Sequence, residues 1–198
     1  MGSSRTDNEL FALYLEGDVE SFRELFGRHA RGLFNFAYRM LGQPPQAEEI
    51  VQEAFTRVVR RPPDLARGTK FSTYLYSVAR NLCIDELRKR RVRRHASLDQ
   101  ARSGEEGEGR TLAEKLPADV PATDAEAMNR ELRERIDAAI SQLPEKQREV
   151  FVMREFAEMP FADVAEAVGC SENTAKSRMR YALERLRDLL GDLAPEDA

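Results

Sequence analysis

The side chains with chemical potential in this 198-residue chain are cationic, amide and aromatic rather than nucleophilic. Lys70, Tyr74, Ser77, Asn81, Asp85 and Arg88 follow one another at spacings of four, three, four, four and three, so a helix carries them along one face. Such a stripe offers a ring to stack on, donors for base edges and charge for phosphate, which is what an unstacked nucleic-acid strand requires. It leads into Arg88-Lys89-Arg90-Arg91-Val92-Arg93-Arg94, six cations in seven residues. A run of this kind is also compatible with a solvated helix end stabilised by the macrodipole. A second polar face, Asn173, Lys176, Ser177, Arg180 and Arg187, falls on a later helix. There Lys and Arg can donate to guanine O6 and N7, and Asn can pair with adenine. No nucleophile–base pair or phosphate-cradling Gly loop emerges, and His29 and His95 stand apart from one another. Cys83 and Cys170 lack metal-site spacing. The expectation is no catalytic residue, no metal and no cofactor.

The elements that must position these groups read as helices almost throughout. Residues 7–16, 19–41, 46–60 and 71–91 form a first set, with Phe22, Leu25, Phe26, Leu33, Ala37 and Leu41 near helical spacing in the second. Ile50, Val51, Ala54, Phe55, Val58 and Val59 make a wide apolar stripe in the third. Gly17 and Gly42 mark helix ends, and Arg61-Pro62-Pro63 stops the third helix. Helices resume at 124–142, 144–156, 161–168 and 171–190. Phe161, Val164, Ala165 and Val168 share one face, Gly169 supplies a turn, and Ser171 can cap the next helix, which is expected to bury Ala175, Met179, Leu183, Leu186 and Leu190. Two short helices joined this way form a helix-turn-helix whose second member enters the major groove. An ordinary helical hairpin with a solvated face is the plainer alternative. Between the two sets, Ser103-Gly104-Glu105-Glu106-Gly107-Glu108-Gly109 is acidic and Gly-rich, with Pro117 and Pro121 following, so nothing there can pack. The fold class is all-α: two helical domains, 6–95 and 127–192, joined by a flexible acidic linker, 96–126.

Composition narrows the class of protein. No apolar run approaches the roughly 20 residues that span a bilayer, no signal-peptide stretch opens the chain, and two lone cysteines point to a reducing compartment. A cytoplasmic protein with no direct membrane insertion is expected. The net charge of −4 conceals a pattern: residues 62–95 hold nine Lys and Arg against three Asp and Glu, whereas 96–126 hold three against eight. A domain that grips duplex DNA unaided usually carries a basic surplus throughout. With the surplus confined to one stretch, a second partner must help hold nucleic acid.

Several strings, in this order, resemble a bacterial sigma factor of the extracytoplasmic-function (group IV) class of the sigma-70 family. They are Glu49-Ile50-Val51-Gln52-Glu53-Ala54-Phe55, Phe71-Ser72-Thr73-Tyr74-Leu75-Tyr76-Ser77-Val78-Ala79-Arg80-Asn81 and Asp85-Glu86-Leu87-Arg88, then Leu143-Pro144-Glu145-Lys146-Gln147-Arg148-Glu149-Val150-Phe151 and Thr174-Ala175-Lys176-Ser177-Arg178. The resemblance implies that 6–95 is a region 2 domain, which binds core RNA polymerase and recognises and melts the promoter −10 element. It makes 127–192 a region 4 domain, whose helix-turn-helix reads the −35 element. Glu49, Gln52 and Glu53 would dock on the clamp of the polymerase β′ subunit, with the β subunit a further contact. Arg67, Lys70, Tyr74, Ser77, Asn81 and Arg88 would hold single-stranded −10 DNA, with a flipped nucleotide in the 62–70 loop. Asn173, Thr174, Lys176, Ser177, Arg178 and Tyr181 would face duplex −35 DNA.

The family usually has Trp where Tyr74 stands, Val or Ile where Ala175 stands, and often a basic residue at Tyr181. An anti-sigma factor is a further implied partner. No further domain is expected after Leu193, which weighs against built-in regulation. A polymerase-independent helix-turn-helix regulator and a pure interaction protein remain alternatives.

The tether suits the resemblance. Elements two helical turns apart are roughly 70 Å distant at ~34–36 Å per turn. A free linker of this length spans only about 30 Å on average, and about 100 Å when fully extended. The linker can reach both elements when something holds it stretched, and the polymerase would do so. The chain alone is therefore expected to bind promoter duplex weakly and to bind it specifically with core enzyme, as fluorescence anisotropy with and without core will report. Tight, specific binding without polymerase counts against the mechanism.

Overall fold

The computed structural model describes residues 5–65, 68–101 and 124–191, with the helical backbone alone described for 95–101 and 124–130. These residues form eight helices: α1 (Asp7–Leu15), α2 (Val19–Leu41), α3 (Pro44–Arg60), α4 (Phe71–Ala101), α5 (Asp124–Ser141), α6 (Glu145–Glu155), α7 (Phe161–Val168) and α8 (Glu172–Leu189). Arg67, and the body of the tether at 102–123, lie outside the described residues.

Local chemistry sets most helix ends. Thr6 opens α1 with a reciprocal cap: its hydroxyl accepts from Glu9 N–H at 3.3 Å, and its own N–H donates to Glu9 Oε2 at 2.7 Å. Those bonds hold the Glu9 carboxyl below its ordinary pKa. Asp18 caps α2 by accepting from Glu20 N–H, and Gly42 closes that helix in the left-handed region, φ 74°. Helix α3 begins at Pro44, two residues before the start the pattern predicts, because a proline in the first helical turn loses no hydrogen bond. Helix α4 runs ten residues past Arg91, six of them in the segment assigned to the tether. No Gly or Pro lies between residues 71 and 101 to stop it. Glu86 supports the extension, 3.8 Å from Arg90 and 3.1 Å from Arg93.

Helices α1–α4 bury Leu10, Phe11, Leu25, Leu33, Phe36, Met40, Phe55, Phe71 and Leu75, with the Phe11 and Phe71 rings 5.0 Å apart. Helices α5–α8 bury Ile140, Leu143, Val150, Met153, Val164, Ala175, Met179, Ala182 and Leu186. Four positions depart from the core that the spacing predicts: Leu183, Phe26 and Val59 are exposed, and Leu190 is only half-buried. Leu183 is 45% exposed, and Ala182 takes its place because the inward stripe of α8 runs 175, 179, 182, 186. Phe26 is 43% exposed, since the apolar arc of α2 is wider than the surface its neighbours cover. Cys83 is buried, which pushes its thiol up to about 12, whereas Cys170 sits half-buried at the α7–α8 turn.

The two sets of helices pack against each other, α7 on α4, and α5 and α6 on α2, and their buried side chains form one continuous core. Arg148 on α6 helps knit this seam. It donates to Met40 O at 3.1 Å across the seam, and to Ser141 O and Leu143 O at 2.6 and 2.9 Å within its own set. Hydrogen bonds from a charged donor contribute about 1.5–3 kcal/mol each to the folded state. Arg148→Met is expected to lower unfolding stability by about 2–3 kcal/mol in urea titration. Arg148→Lys should recover only part, because an ammonium lacks the guanidinium fork.

Candidate nucleic-acid interface

The last turn of α3 and the first three turns of α4 frame an open cleft of about 500 Å³, lined by Glu53, Arg57, Arg60, Arg61, Tyr74, Val78 and Asn81. The Pro62-Pro63 break turns the chain, so the arginines at the end of α3 come to face the polar stripe of α4. Tyr74 Oη donates to Arg61 O at 3.4 Å, bracing the ring against that turn. Asn81 is exposed, and its Oδ1 accepts from Arg80 at 3.2 Å. Ser77 directs its hydroxyl at Tyr74 O, 2.7 Å away, and so satisfies its own helix. Arg57 pairs with Glu53 at 2.7 Å, while Arg60 and Arg61 present exposed side chains.

Of the six residues expected at the −10 element, the structure therefore brings Tyr74 and Asn81 into one cleft. Arg88 is exposed in the adjoining one, beside Lys89, Asp85, Glu49 and Glu53. Lys70 points elsewhere, its Nζ 2.7 Å from Asp163 Oδ2 of α7. Arg67 is among the residues not described. The sequence reading missed Arg57, Arg60 and Arg61. Their signal was a cationic turn immediately before a Pro-Pro break.

The three residues expected at the polymerase do not converge. Glu49 and Glu53 line the cleft shared with α4, whereas Gln52 and Glu48 flank a separate groove floored by Phe26, Ala30, Phe34 and Val51, with Arg31 on its rim. Phe26 leans on Phe55, ring centroids 4.8 Å apart, and keeps its other face in solvent. Both Phe26 and Phe34 were read as core or passed over, because periodicity shows a side chain's angle and not what covers it.

On the helix-turn-helix, Gly169 makes the turn at φ 70°, and Ser171 Oγ accepts from Thr174 N–H at 3.2 Å. Asn173, Thr174, Lys176, Ser177 and Tyr181 are all exposed on α8. Thr174 shares a 2.8 Å hydroxyl bond with Ser171, Lys176 pairs with Glu172 at 2.6 Å, and Arg180 lies over the Tyr181 ring at 5.0 Å. Arg178 differs from the rest. Half-buried, it turns inward to Glu149, its Nη1 3.4 Å from Oε1.

His29 lies 2.6 Å from Asp7, and among the described residues no group of His, Cys, Asp and Glu could hold a metal ion. Among the same residues no helix is long and apolar enough to cross a membrane.

Comparison with known proteins bears on the fold and the family. Residues 25–93 match the family model of sigma-70 region 2, and residues 133–186 match that of sigma-70, region 4. A helical first unit followed by a helix-turn-helix second unit thus defines a sigma-70 protein. The chain is 32% identical over 178 residues to the ECF RNA polymerase sigma factor SigW of Bacillus subtilis, covering 90% of this chain and 93% of that protein. Two solved structures share the fold. CnrH, in complex with the cytosolic domain of CnrY, has a TM-score of 0.68 and 20% identity over 95% of this chain and 99% of that one. RpoE, in complex with the anti-sigma factor NepR from Bartonella quintana, has a TM-score of 0.62 and 21% identity over 87% and 98%. The chain belongs to the ECF class of sigma-70 family sigma factors. It directs RNA polymerase to promoters, as a regulatory subunit and not an enzyme.

The α8 cap yields a direct test. Ser171→Ala should cost about 1 kcal/mol, the usual worth of an N-cap, and Ser171→Asp should keep most of it, as thermal unfolding will show.

Proposed function

We propose that the cleft between α3 and α4 takes the unpaired strand of the −10 element, that α8 reads the −35 duplex, and that the α2–α3 face docks on core polymerase. One observation carries the reading: a ring, an amide and a cluster of guanidiniums meet in a single open groove. Flipping a base costs a few kcal/mol. Stacking returns about 1–3 kcal/mol per base, so Tyr74 as a platform and Asn81 as a base-edge reader offset much of that cost. Arg57, Arg60 and Arg61 supply phosphate contacts beside the ring and the amide. Arg88 and the exposed cations of the α4 extension continue the same charge toward the duplex upstream. Lys70 joins the loop side of the site in this reading only after leaving Asp163.

On the opposite flank, the groove of Phe26, Phe34 and Val51, rimmed by Gln52 and Glu48 with Glu49 on the far side of α3, suits a helix carrying apolar and basic residues. In this reading that helix belongs to the β′ clamp, with Glu53 at the edge of the contact and the β subunit touching the tether and second domain. The same apolar groove is a natural seat for an anti-sigma factor, the kind of partner with which RpoE is seen. The −35 contacts assigned to α8 are Asn173, Thr174, Lys176, Ser177 and Tyr181, with Arg178 joining them only after leaving Glu149.

Run-off transcription with bacterial core enzyme tests the reading. The chain should direct a new start site on DNA recovered from the holoenzyme. Asn81→Ala should lower open-complex formation about tenfold, the equivalent of one lost base contact of about 1–3 kcal/mol. Arg60→Gln together with Arg61→Gln should lower the salt slope of strand binding by about 1.4, at ~0.7 per phosphate. Failure to start RNA synthesis at any new site overturns the assignment.

A further inference from the structure

The loop that receives a flipped nucleotide in the reading above runs from α3 into α4, and α4 lacks a side-chain cap of its own. Lys70 holds the cap position: its carbonyl accepts from Tyr74 N–H at 3.1 Å, but its side chain has no oxygen for the first-turn amides. The acceptor comes instead from α1, 63 residues earlier in the chain. Asn8 Oδ1 accepts from Phe71 N–H at 2.8 Å, and Asn8 Nδ2 donates to Thr69 O at 3.2 Å. One amide thus grips the backbone on both sides of Lys70, where the loop becomes helix. Asn is a short side chain that offers an acceptor and a donor from separate atoms, and both are used here.

The helix that carries Asn8 is itself pinned. Asp7 lies 2.9 Å from Arg28 and 2.6 Å from His29, both of α2, and Leu10 and Phe11 are buried. The Phe71 ring lies 5.0 Å from that of Phe11 and 5.8 Å from that of His29. The residue whose N–H meets Asn8 is therefore fixed through ring and backbone together. At the other end of the loop Tyr74 Oη donates to Arg61 O at 3.4 Å, and Leu65 packs against the core. Asn8 is half-buried and stands outside the lining of the α3–α4 cleft.

We infer that Asn8 is a positioning residue for base capture: it holds the α4 end of the loop in the form that receives the flipped nucleotide, without touching DNA. This inference rests on the reading of the loop given above, and it gives α1 a part in promoter opening. Flipping a base out of its stack is costly, and a loop that had to be ordered at the same moment would add its own entropy. The clasp removes that second cost before the strand arrives. It also sets the ring, because Tyr74 lies one turn beyond the residue whose flanks Asn8 holds.

The test uses holoenzyme assembled from the full chain and bacterial core enzyme. The probe is a fluorescent single strand carrying the −10 region of DNA recovered from that holoenzyme, with a companion set abasic at each position in turn. Wild-type holoenzyme should lose most affinity where the missing base is the one the loop receives. Asn8→Ala should weaken the intact strand about fivefold, the worth of about one ordinary hydrogen bond. On the strand abasic at that single position the variant should match wild type, because the two losses share one interaction. A purely structural role would lower every strand alike, so an undiminished deficit on that strand overturns the inference. Parity of the variant with wild type on the intact strand overturns it too. Asn8→Asp guards against a chain that fails to fold: it keeps the acceptor for Phe71, which a helix N-terminus favours, and loses the donor to Thr69. It should show the same position-specific deficit at about threefold, and no deficit or a uniform one counts against the clasp. A wild type indifferent to every abasic position overturns the reading of the loop itself, and the inference with it.

Discussion

A carboxylate with no solvent exposure must be paired or neutral, and Glu149 meets that requirement with guanidiniums from both halves of the molecule. Burial pushes its pKa above the ordinary carboxylate range, and Arg80 and Arg178 draw it back. Much of the arrangement depends on this shared charge. It turns Arg178 away from the exposed face of α8, it holds Arg80 beside Asn81, and it ties α6 to α4 through an ion pair. With the Lys70–Asp163 pair next to it, the seam between the helix sets is lined by the charges that the DNA faces need.

The surfaces left open are chemically distinct from that seam. The α3–α4 cleft is cationic and carries an aromatic ring and an amide, whereas the groove across α2 and α3 is apolar with a polar rim. Both are built from α3, whose two exposed flanks look in different directions. A single helix thus separates the proposed strand site from the proposed docking site. The ion pair of Arg57 with Glu53 sits within the α3–α4 cleft, where a bound ligand would compete for one member.

Much of this was legible in the residues. Ser171, Gly42 and Gly169 announced helix ends because caps and left-handed turns depend on near neighbours alone. The helix-turn-helix and the stripe of Tyr74 and Asn81 followed from spacing. The overrun of α4 to Ala101 was readable too, since no breaker lies in that stretch, but the acidic character beyond it drew the boundary too early. Leu183 and Phe26 were not readable as outward residues. Both have the hydrophobicity and near-helical spacing of core positions, and only the packing of neighbouring helices decides which of two adjacent apolar positions is covered.

By itself the sequence determined the helices, their caps, the order of the two units and the family to which the chain belongs, because these rest on local periodicity and on residue strings. The tertiary structure alone decided that Arg57, Arg60 and Arg61 share a cleft with Tyr74, that Gln52 parts company with Glu53, and that Lys70 and Arg178 face carboxylates of the opposite helix set. Such outcomes depend on contacts between residues far apart in the chain, as with Arg80 and Glu149. No local pattern encodes which charge will lie across a seam that forms only when the two units fold against each other.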